Sequence, residues 1–263
     1  MRFVPFTSNP PRVSVVRLSG VIATGRSRLS DEIMAPAIEK AFGKGKPAAV
    51  ALVINSPGGS PVQSSLIAAR IRRLADEKEI PVHAFVEDVA ASGGYWLACA
   101  GDQIWVDRSS IVGSIGVISG SFGLQDFIAR HGIERRLYTA GENKSLLDMF
   151  EPVKGEDEER LKKLLGMIHD NFIAHVKARR GERLADDPRL FTGEFWDGVR
   201  GIELGLADGI AHVVPKMKEI FGDKTRFSVY GPKRSFFDRF GRVAAESALQ
   251  IVEERADYAR FGL

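Results

Sequence analysis

Cysteine and long apolar runs are scarce in this 263-residue sequence. Its single cysteine, Cys99, rules out an internal disulfide framework and suits a reducing compartment. No segment approaches the roughly 20 uninterrupted apolar residues that are needed to span a bilayer. Residues 1–11 are broken by prolines and lack the apolar core of a signal peptide. We therefore expect a soluble, cytoplasmic chain, and peripheral attachment to a membrane is left open.

The sequence also lacks a cluster of charges of one sign. The chain has 37 Lys and Arg against 34 Asp and Glu, and the two signs alternate along the sequence. This pattern gives little support to nucleic-acid binding, which favours a basic patch. No group of His, Cys, Asp and Glu has the spacing of metal ligands, so we expect neither a metal nor another cofactor.

Apolar runs that alternate with helical patterns predict the fold class. Val13–Leu18, Ala48–Ile54 and Val82–Val86 are typical of strands, and the second is apolar enough to be covered on both faces. Helical periodicity begins at Asp31 and again after Ser60. This alternation favours an α/β protein with a parallel sheet.

The character of the chain changes near residue 222. Phenylalanine and small apolar residues form one stripe over residues 236–251, while the other positions carry charges of both signs. We expect one main domain over residues 1–222 and an amphipathic helical extension over residues 223–263. Mixed charge favours packing of this helix against protein over insertion into lipid.

Ser92 is the first candidate for chemistry. It follows the apolar run Val82–Val86 after a short interval and precedes Gly93 and Gly94, which permit a sharp bend. A hydroxyl at such a turn can attack a carbonyl while nearby backbone N–H groups receive the oxyanion. Serine is also a common helix N-cap, so the position alone does not decide between the two roles.

The sequence does not by itself choose a base for this serine. None of the five histidines has a strong catalytic context, and no Gly-x-Ser-x-Gly elbow of an α/β-hydrolase occurs. Lysine can replace histidine when burial lowers its pKa from about 10.4 toward neutrality. Lys144 lies in a loop between apolar residues, but many other lysines remain open.

Three glycine-rich motifs occur in order: Asn55-Ser-Pro-Gly-Gly59, Ala91-Ser-Gly-Gly-Tyr95 and Val112-Gly-Ser-Ile-Gly-Val117. Together they resemble the signal peptide peptidase A (protease IV) family of serine peptidases, S49, over roughly residues 13–214. The resemblance implies a Clp/crotonase-like fold, with a parallel sheet built from repeated ββα units.

The resemblance also implies a set of site residues. Short members of that family use a Ser/Lys dyad whose lysine follows the serine by some fifty residues, and 144 − 92 = 52 here. This selects Ser92 and Lys144 as the catalytic pair. By the same resemblance Gly59 and Gly93 would donate to the oxyanion, and Ser114 would orient the lysine amine.

We therefore expect a serine endopeptidase that hydrolyses signal-peptide remnants or other extended apolar peptides. A homo-oligomeric ring is expected, because single-domain members can reproduce the tandem-domain arrangement of long members only between subunits. Two alternatives remain: a crotonase-type acyl-CoA enzyme and an inactive membrane-organising scaffold. The serine at the second glycine-rich turn counts against the first, and retention of both dyad residues counts against the second.

Overall fold

The computed structural model describes residues 10–25, 28–141, 143–231 and 255–263. Two compact units are distinguished within the chain, and each is described by itself. The first comprises residues 1–115 and 173–263, and the second comprises residues 116–172. The amphipathic stripe predicted for residues 236–251 lies outside the described residues.

The first unit is built on a mostly parallel sheet. Its strands are β1 (Arg12–Ser19), β2 (Ala49–Ser56), β3 (Val82–Ala91), β4 (Gln103–Val106), β5 (Ile111–Gly113), β6 (Phe195–Asp197), β7 (Gly209–Ile210) and β8 (Arg226–Tyr230). The main path has the order β6-β5-β3-β2-β1-β8, with β4 beside β3 and β7 beside β4. The β5–β6 pair is antiparallel and the other pairs are parallel. The predicted α/β class with a mostly parallel sheet is confirmed.

Helices pack on this sheet, and the first two begin where the sequence shows helical periodicity. They are α1 (Asp31–Gly43), α2 (Pro61–Lys78), α3 (Gly93–Ala98), α6 (Gly198–Glu203) and α7 (Val213–Phe221). Ser30 caps α1 by accepting from the N–H of Ile33 at 3.4 Å, which satisfies one donor at the start of the helix. The central strand β2 has almost no exposed residue, in agreement with its continuous apolar run.

The strand β8 lies beyond the predicted domain boundary at residue 222. It pairs in parallel with β1, so the sheet continues past that boundary before the described residues stop at 231. Of the remaining described part, residues 255–263 also belong to the first unit. Within the described ranges we find no apolar helix of membrane-spanning length.

The second unit contains α4 (Gln125–Arg130) and the first part of α5 (Gly155–Arg180), which continues into the first unit. From the sequence we expect a strand over Glu134–Tyr138, and this prediction was wrong. All five residues are exposed and irregular, because the segment has no face to bury and no strand pairs with it among the described residues. The range Ile111–Ile118, expected to contain a strand and a turn, forms the strand β5 up to Gly113 and is irregular after it.

Candidate active site

Ser92 lies at the junction between β3 and α3. Its backbone has φ 50° and ψ −123°, a conformation that a residue with a Cβ rarely adopts. Its N–H donates to the carbonyl of Gly113 at 2.9 Å, so the neighbouring strand β5 helps to hold the turn. Within the described chain, the side chain makes no capping hydrogen bond with α3. The N-cap role that the position allowed is therefore not the one observed.

The turn after β2 packs directly against the turn that carries Ser92. Strands β2 and β3 are parallel neighbours, so their carboxyl ends lie at the same edge of the sheet. A Cβ built on Gly58 would lie 2.8 Å from the Cβ of Ser92. A Cβ built on Gly93 would lie 3.4 Å from the backbone nitrogen of Gly59. The two glycine-rich motifs thus meet around the serine.

The backbone of Gly59 is fixed by its pairing with Ile22. The N–H of Ile22 donates to the Gly58 carbonyl, and the N–H of Ser60 donates to the Ile22 carbonyl, each at 2.7 Å. In such a parallel bridge the N–H of Gly59 itself points away from Ile22. Within the described ranges neither this N–H nor that of Gly93 donates to a protein acceptor. Both are therefore available to a negatively charged oxygen beside Ser92.

Ser114 lies on the other side of the serine turn. It follows β5, whose Gly113 is the ladder partner of Ala91, the residue before Ser92. Its N–H donates to the carbonyl of Glu194 at 2.7 Å, and the residue is 8% exposed. Its φ of 52° shows that this turn, like that of Ser92, holds a non-glycine residue in a left-handed conformation. The first unit therefore brings Ser92, Gly59, Gly93 and Ser114 into one region.

Lys144 belongs to the second unit. It is exposed, and its backbone N–H donates to the carbonyl of Gly141 at 3.3 Å. It lines an open cleft of about 640 Å³ whose other walls include Phe122, Leu137 and Met149. All three apolar side chains are more than a third exposed. The predicted base thus sits among apolar side chains that are incompletely covered.

The short helix α3 is anchored by contacts of Tyr95 and Trp96. The phenol of Tyr95, which is fully buried, donates to the carbonyl of Leu206 at 2.8 Å. The ring of Trp96 stacks on His175 with centroids 4.5 Å apart, and burial lowers the pKa of that imidazole. His175 therefore packs against α3.

A buried ion pair lies close to the same helix. Arg180, whose side chain is 2% exposed, contacts both carboxylate oxygens of Asp208 at 2.8 and 3.0 Å. Burial raises the pKa of Asp208, but the hydrogen bonds from Arg180 and from the N–H of Ile104 outweigh it and lower the pKa overall. The pair is therefore ionised at neutral pH.

Sequence reasoning missed two contributions to this region. Ser64 on α2 packs behind the serine turn, since a Cβ on Gly93 would lie 2.4 Å from its hydroxyl. Residues 255–263 also contact β3 and β2: Phe261 packs on Val89 and Ala91 of β3, and the Tyr258 hydroxyl donates to the Asn55 carbonyl of β2 at 2.8 Å. No local pattern signals such contacts, because they join residues far apart in the chain.

A family comparison finds a match in the middle of the chain. The model of Peptidase family S49 matches residues 75–220, which include Ser92, Ser114 and Lys144. The match starts after Gly59.

Two curated relatives illustrate the range of similarity. The chain is 46% identical over its whole length to the Na(+)/H(+) antiporter NhaA of Brucella melitensis, but it covers 39% of that protein. It is 32% identical to the probable protease SohB of Haemophilus influenzae, across 77% of this chain and 57% of the relative. The chain therefore spans about two fifths to three fifths of the length of these relatives.

A solved structure resembles the fold. It is a mutant of the 1510-N membrane-bound stomatin-specific protease in complex with a substrate peptide. The TM-score is 0.54 at 17% identity, and the match covers 88% of this chain and 95% of the other. A second mutant of that protease gives a TM-score of 0.52. This likeness supports the expected Clp/crotonase-like fold.

Proposed function

Because this chain belongs to peptidase family S49, we propose that it is a serine peptidase with Ser92 as the nucleophile. The observation that carries the proposal is the meeting of two glycine turns around a strained serine. A hydroxyl at that point has two unpaired backbone N–H groups beside it, those of Gly59 and Gly93. This is the arrangement that acyl transfer requires, since the oxyanion forms next to the nucleophile.

The chemical steps follow from these positions. The Ser92 hydroxyl attacks the peptide carbonyl while the neutral amine of Lys144 accepts its proton. The Gly59 and Gly93 N–H groups stabilise the oxyanion, and the protonated lysine then gives its proton to the leaving amine. Ser114 accepts a hydrogen bond from the lysine and orients it. Water hydrolyses the resulting ester of Ser92.

Extended peptides with small or apolar residues are the proposed substrates, including remnants of signal peptides. Strand addition along the cleft would bind their backbone without demanding one sequence. Family membership favours this reading over a crotonase-type acyl-CoA enzyme or an inactive scaffold. We assign no ion transport to the chain, because it matches the smaller part of the antiporter relatives, and the S49 model matches within it.

Lys144 in this proposal acts on Ser92 of a neighbouring subunit in a ring. A lysine amine accepts a proton only when it is neutral, and burial at an interface favours the neutral form. Lys144 is exposed in the single chain, as are apolar side chains of the same unit such as Phe122 and Tyr138. A head-to-tail contact that covers these side chains would be heterologous, and a ring is its closed form.

Matched variants test the proposed chemistry. Ser92→Ala and Lys144→Ala should each abolish hydrolysis of a fluorogenic peptide library, and the double variant should be hardly worse than either one. Ser109→Ala and Lys163→Ala, at exposed positions outside the proposed site, should retain activity. Substantial turnover by folded Ser92→Ala protein would refute the proposal. Turnover by Lys144→Ala protein at neutral pH would refute the choice of base.

Complementation tests the ring separately. Inactive Ser92→Ala and Lys144→Ala chains should regain part of the activity when they are unfolded together, mixed and refolded. Mixed rings then contain some junctions that carry both native residues. If verified mixed oligomers stay inactive, the two residues act within one protomer and the ring proposal is wrong.

A further inference from the structure

Two arginines stand side by side at the amino-terminal edge of the sheet. Arg12 begins β1 and Arg226 begins β8, and the two are ladder partners in this parallel pair. Ladder partners project from the same face of a sheet, so their side chains are neighbours. Like charges opposite each other destabilise a strand pair. The arrangement therefore carries a cost that a bound anion would remove.

A third cation and a cavity complete this arrangement. Arg12, Arg226 and Lys46 line a cavity of about 310 Å³, together with Gly45 and the neighbouring prolines. Its lining includes no acidic residue within the described ranges. None of the three cations forms an ion pair there either, whereas Arg17, on the same strand as Arg12, is paired with Glu87.

The loop after α1 shapes the cavity around Arg12. A Cβ on Gly45 would lie 2.5 Å from the Nη1 atom of Arg12, so the loop backbone packs directly on the guanidinium. Both Gly45 (φ 74°) and Lys46 (φ 45°) are left-handed, although Lys46 precedes a proline, which restricts its backbone further. Their N–H groups donate to no acceptor in the described parts of the chain. The loop thus adds main-chain donors to the three cations.

We propose that Arg12, Lys46 and Arg226 form a binding site for a phosphate group. Guanidinium groups match the geometry of phosphate oxygens, and two such groups with a lysine can neutralise a dianion. The cavity is at the small end of the range for ligand sites, which fits a phosphorylated small molecule or one lipid headgroup. It opens at the amino ends of β1 and β8, whereas Ser92 and Gly59 follow the carboxyl ends of β3 and β2. An anion held there leaves the proposed active site free.

Titration of the full chain with inorganic phosphate is the first test. Binding should be saturable by calorimetry, and Arg226→Gln should raise the dissociation constant about tenfold, the loss of one charge-assisted contact. Arg108→Gln removes the same charge from another exposed position and should leave the constant unchanged. Glycine adopts the left-handed conformation of residue 46 without strain, so Lys46→Gly should fold normally. This variant should weaken phosphate binding about as much as Arg226→Gln does.

Vesicles distinguish the two sources of the phosphate group. Sedimentation with phosphatidylcholine vesicles that contain phosphatidic acid, lost with Arg226→Gln and kept with Arg108→Gln, would identify a lipid headgroup. Phosphate binding without vesicle binding would identify a soluble phosphorylated ligand. Equal losses in the Arg226 and Arg108 variants, or no binding of either probe, would overturn the proposal.

Discussion

The strained backbone of Ser92 leads to a stability prediction that is independent of catalysis. Ser92→Ala and Ser92→Gly both remove the hydroxyl, so both should be inactive. They differ only in the Cβ, which the φ of 50° and ψ of −123° disfavour. Glycine at this position should therefore give the more stable protein, although glycine usually destabilises a folded chain.

The size of the effect follows from two opposing terms. A non-glycine residue in such a conformation costs roughly 1–3 kcal/mol, and glycine releases that strain. Glycine also raises the entropy of the unfolded chain, which costs about 0.4–1 kcal/mol. Taken at their midpoints, the two terms leave about 1.3 kcal/mol in favour of Ser92→Gly. For a chain of this length, each kcal/mol of stability shifts Tm by roughly 2–4 °C.

Thermal unfolding of both variants at equal protein concentration measures this difference. Ser109 provides the control, because it is exposed and has no positive φ. There the order should reverse, with the alanine variant more stable than the glycine variant by about 0.4–1 kcal/mol. If Ser92→Ala is as stable as Ser92→Gly, the turn stores no strain and the reasoning fails.

Three further predictions concern the glycine turn, the buried ion pair and the base. Gly59→Ala should lower the free energy of unfolding by about 3 kcal/mol or more, because its Cβ would lie 2.1 Å from the Ile22 carbonyl oxygen at a φ of 133°. A variant whose Tm stays close to that of the wild type would contradict the turn geometry. Asp208→Asn should cost about 3–5 kcal/mol by leaving Arg180 unpaired. Since the pKa of Asp208 is lowered overall, the wild type should be more stable than the variant above the ordinary pKa of 3.8, and this difference in stability should decline as pH falls below it. Equal stability of the two proteins at neutral pH would count against the pair. The rate of Ser92 acylation should fall with falling pH, because a protonated lysine cannot accept a proton, and this limb should vanish in Lys144→Ala; a flat wild-type profile would argue against a lysine base.

The sequence carried enough information to predict the class of fold and the place of the serine turn. The continuous apolar run before Asn55 predicts a buried strand, and the glycines after Ser92 predict a sharp turn. The structure brings the two glycine turns together. The strand expected over Glu134–Tyr138 was wrong because five residues of sequence cannot show whether a partner strand exists. The contacts of Tyr258 and Phe261 with β3 depend on tertiary packing, which no local pattern encodes.

The choice of base shows the same limit. Nothing in the physical chemistry of a single lysine selected Lys144, because neutrality depends on surroundings that the sequence does not display. Lys144 was chosen because the family resemblance implies a lysine some fifty residues after the serine. In the structure Lys144 is exposed within its own unit. The assignment of Lys144 as the base therefore depends on the activity of the Lys144→Ala variant, whereas the assignment of Ser92 is also supported by local geometry.

The most direct test of the central claim is to map the site of covalent labelling. A fluorophosphonate should react with the folded native protein, and mass spectrometry of the digest should place the adduct on the peptide that contains Ser92. Ser92→Ala protein should not be labelled at any serine. An adduct at another serine, or no adduct in native protein that hydrolyses peptides, would contradict the assignment of Ser92 as the nucleophile.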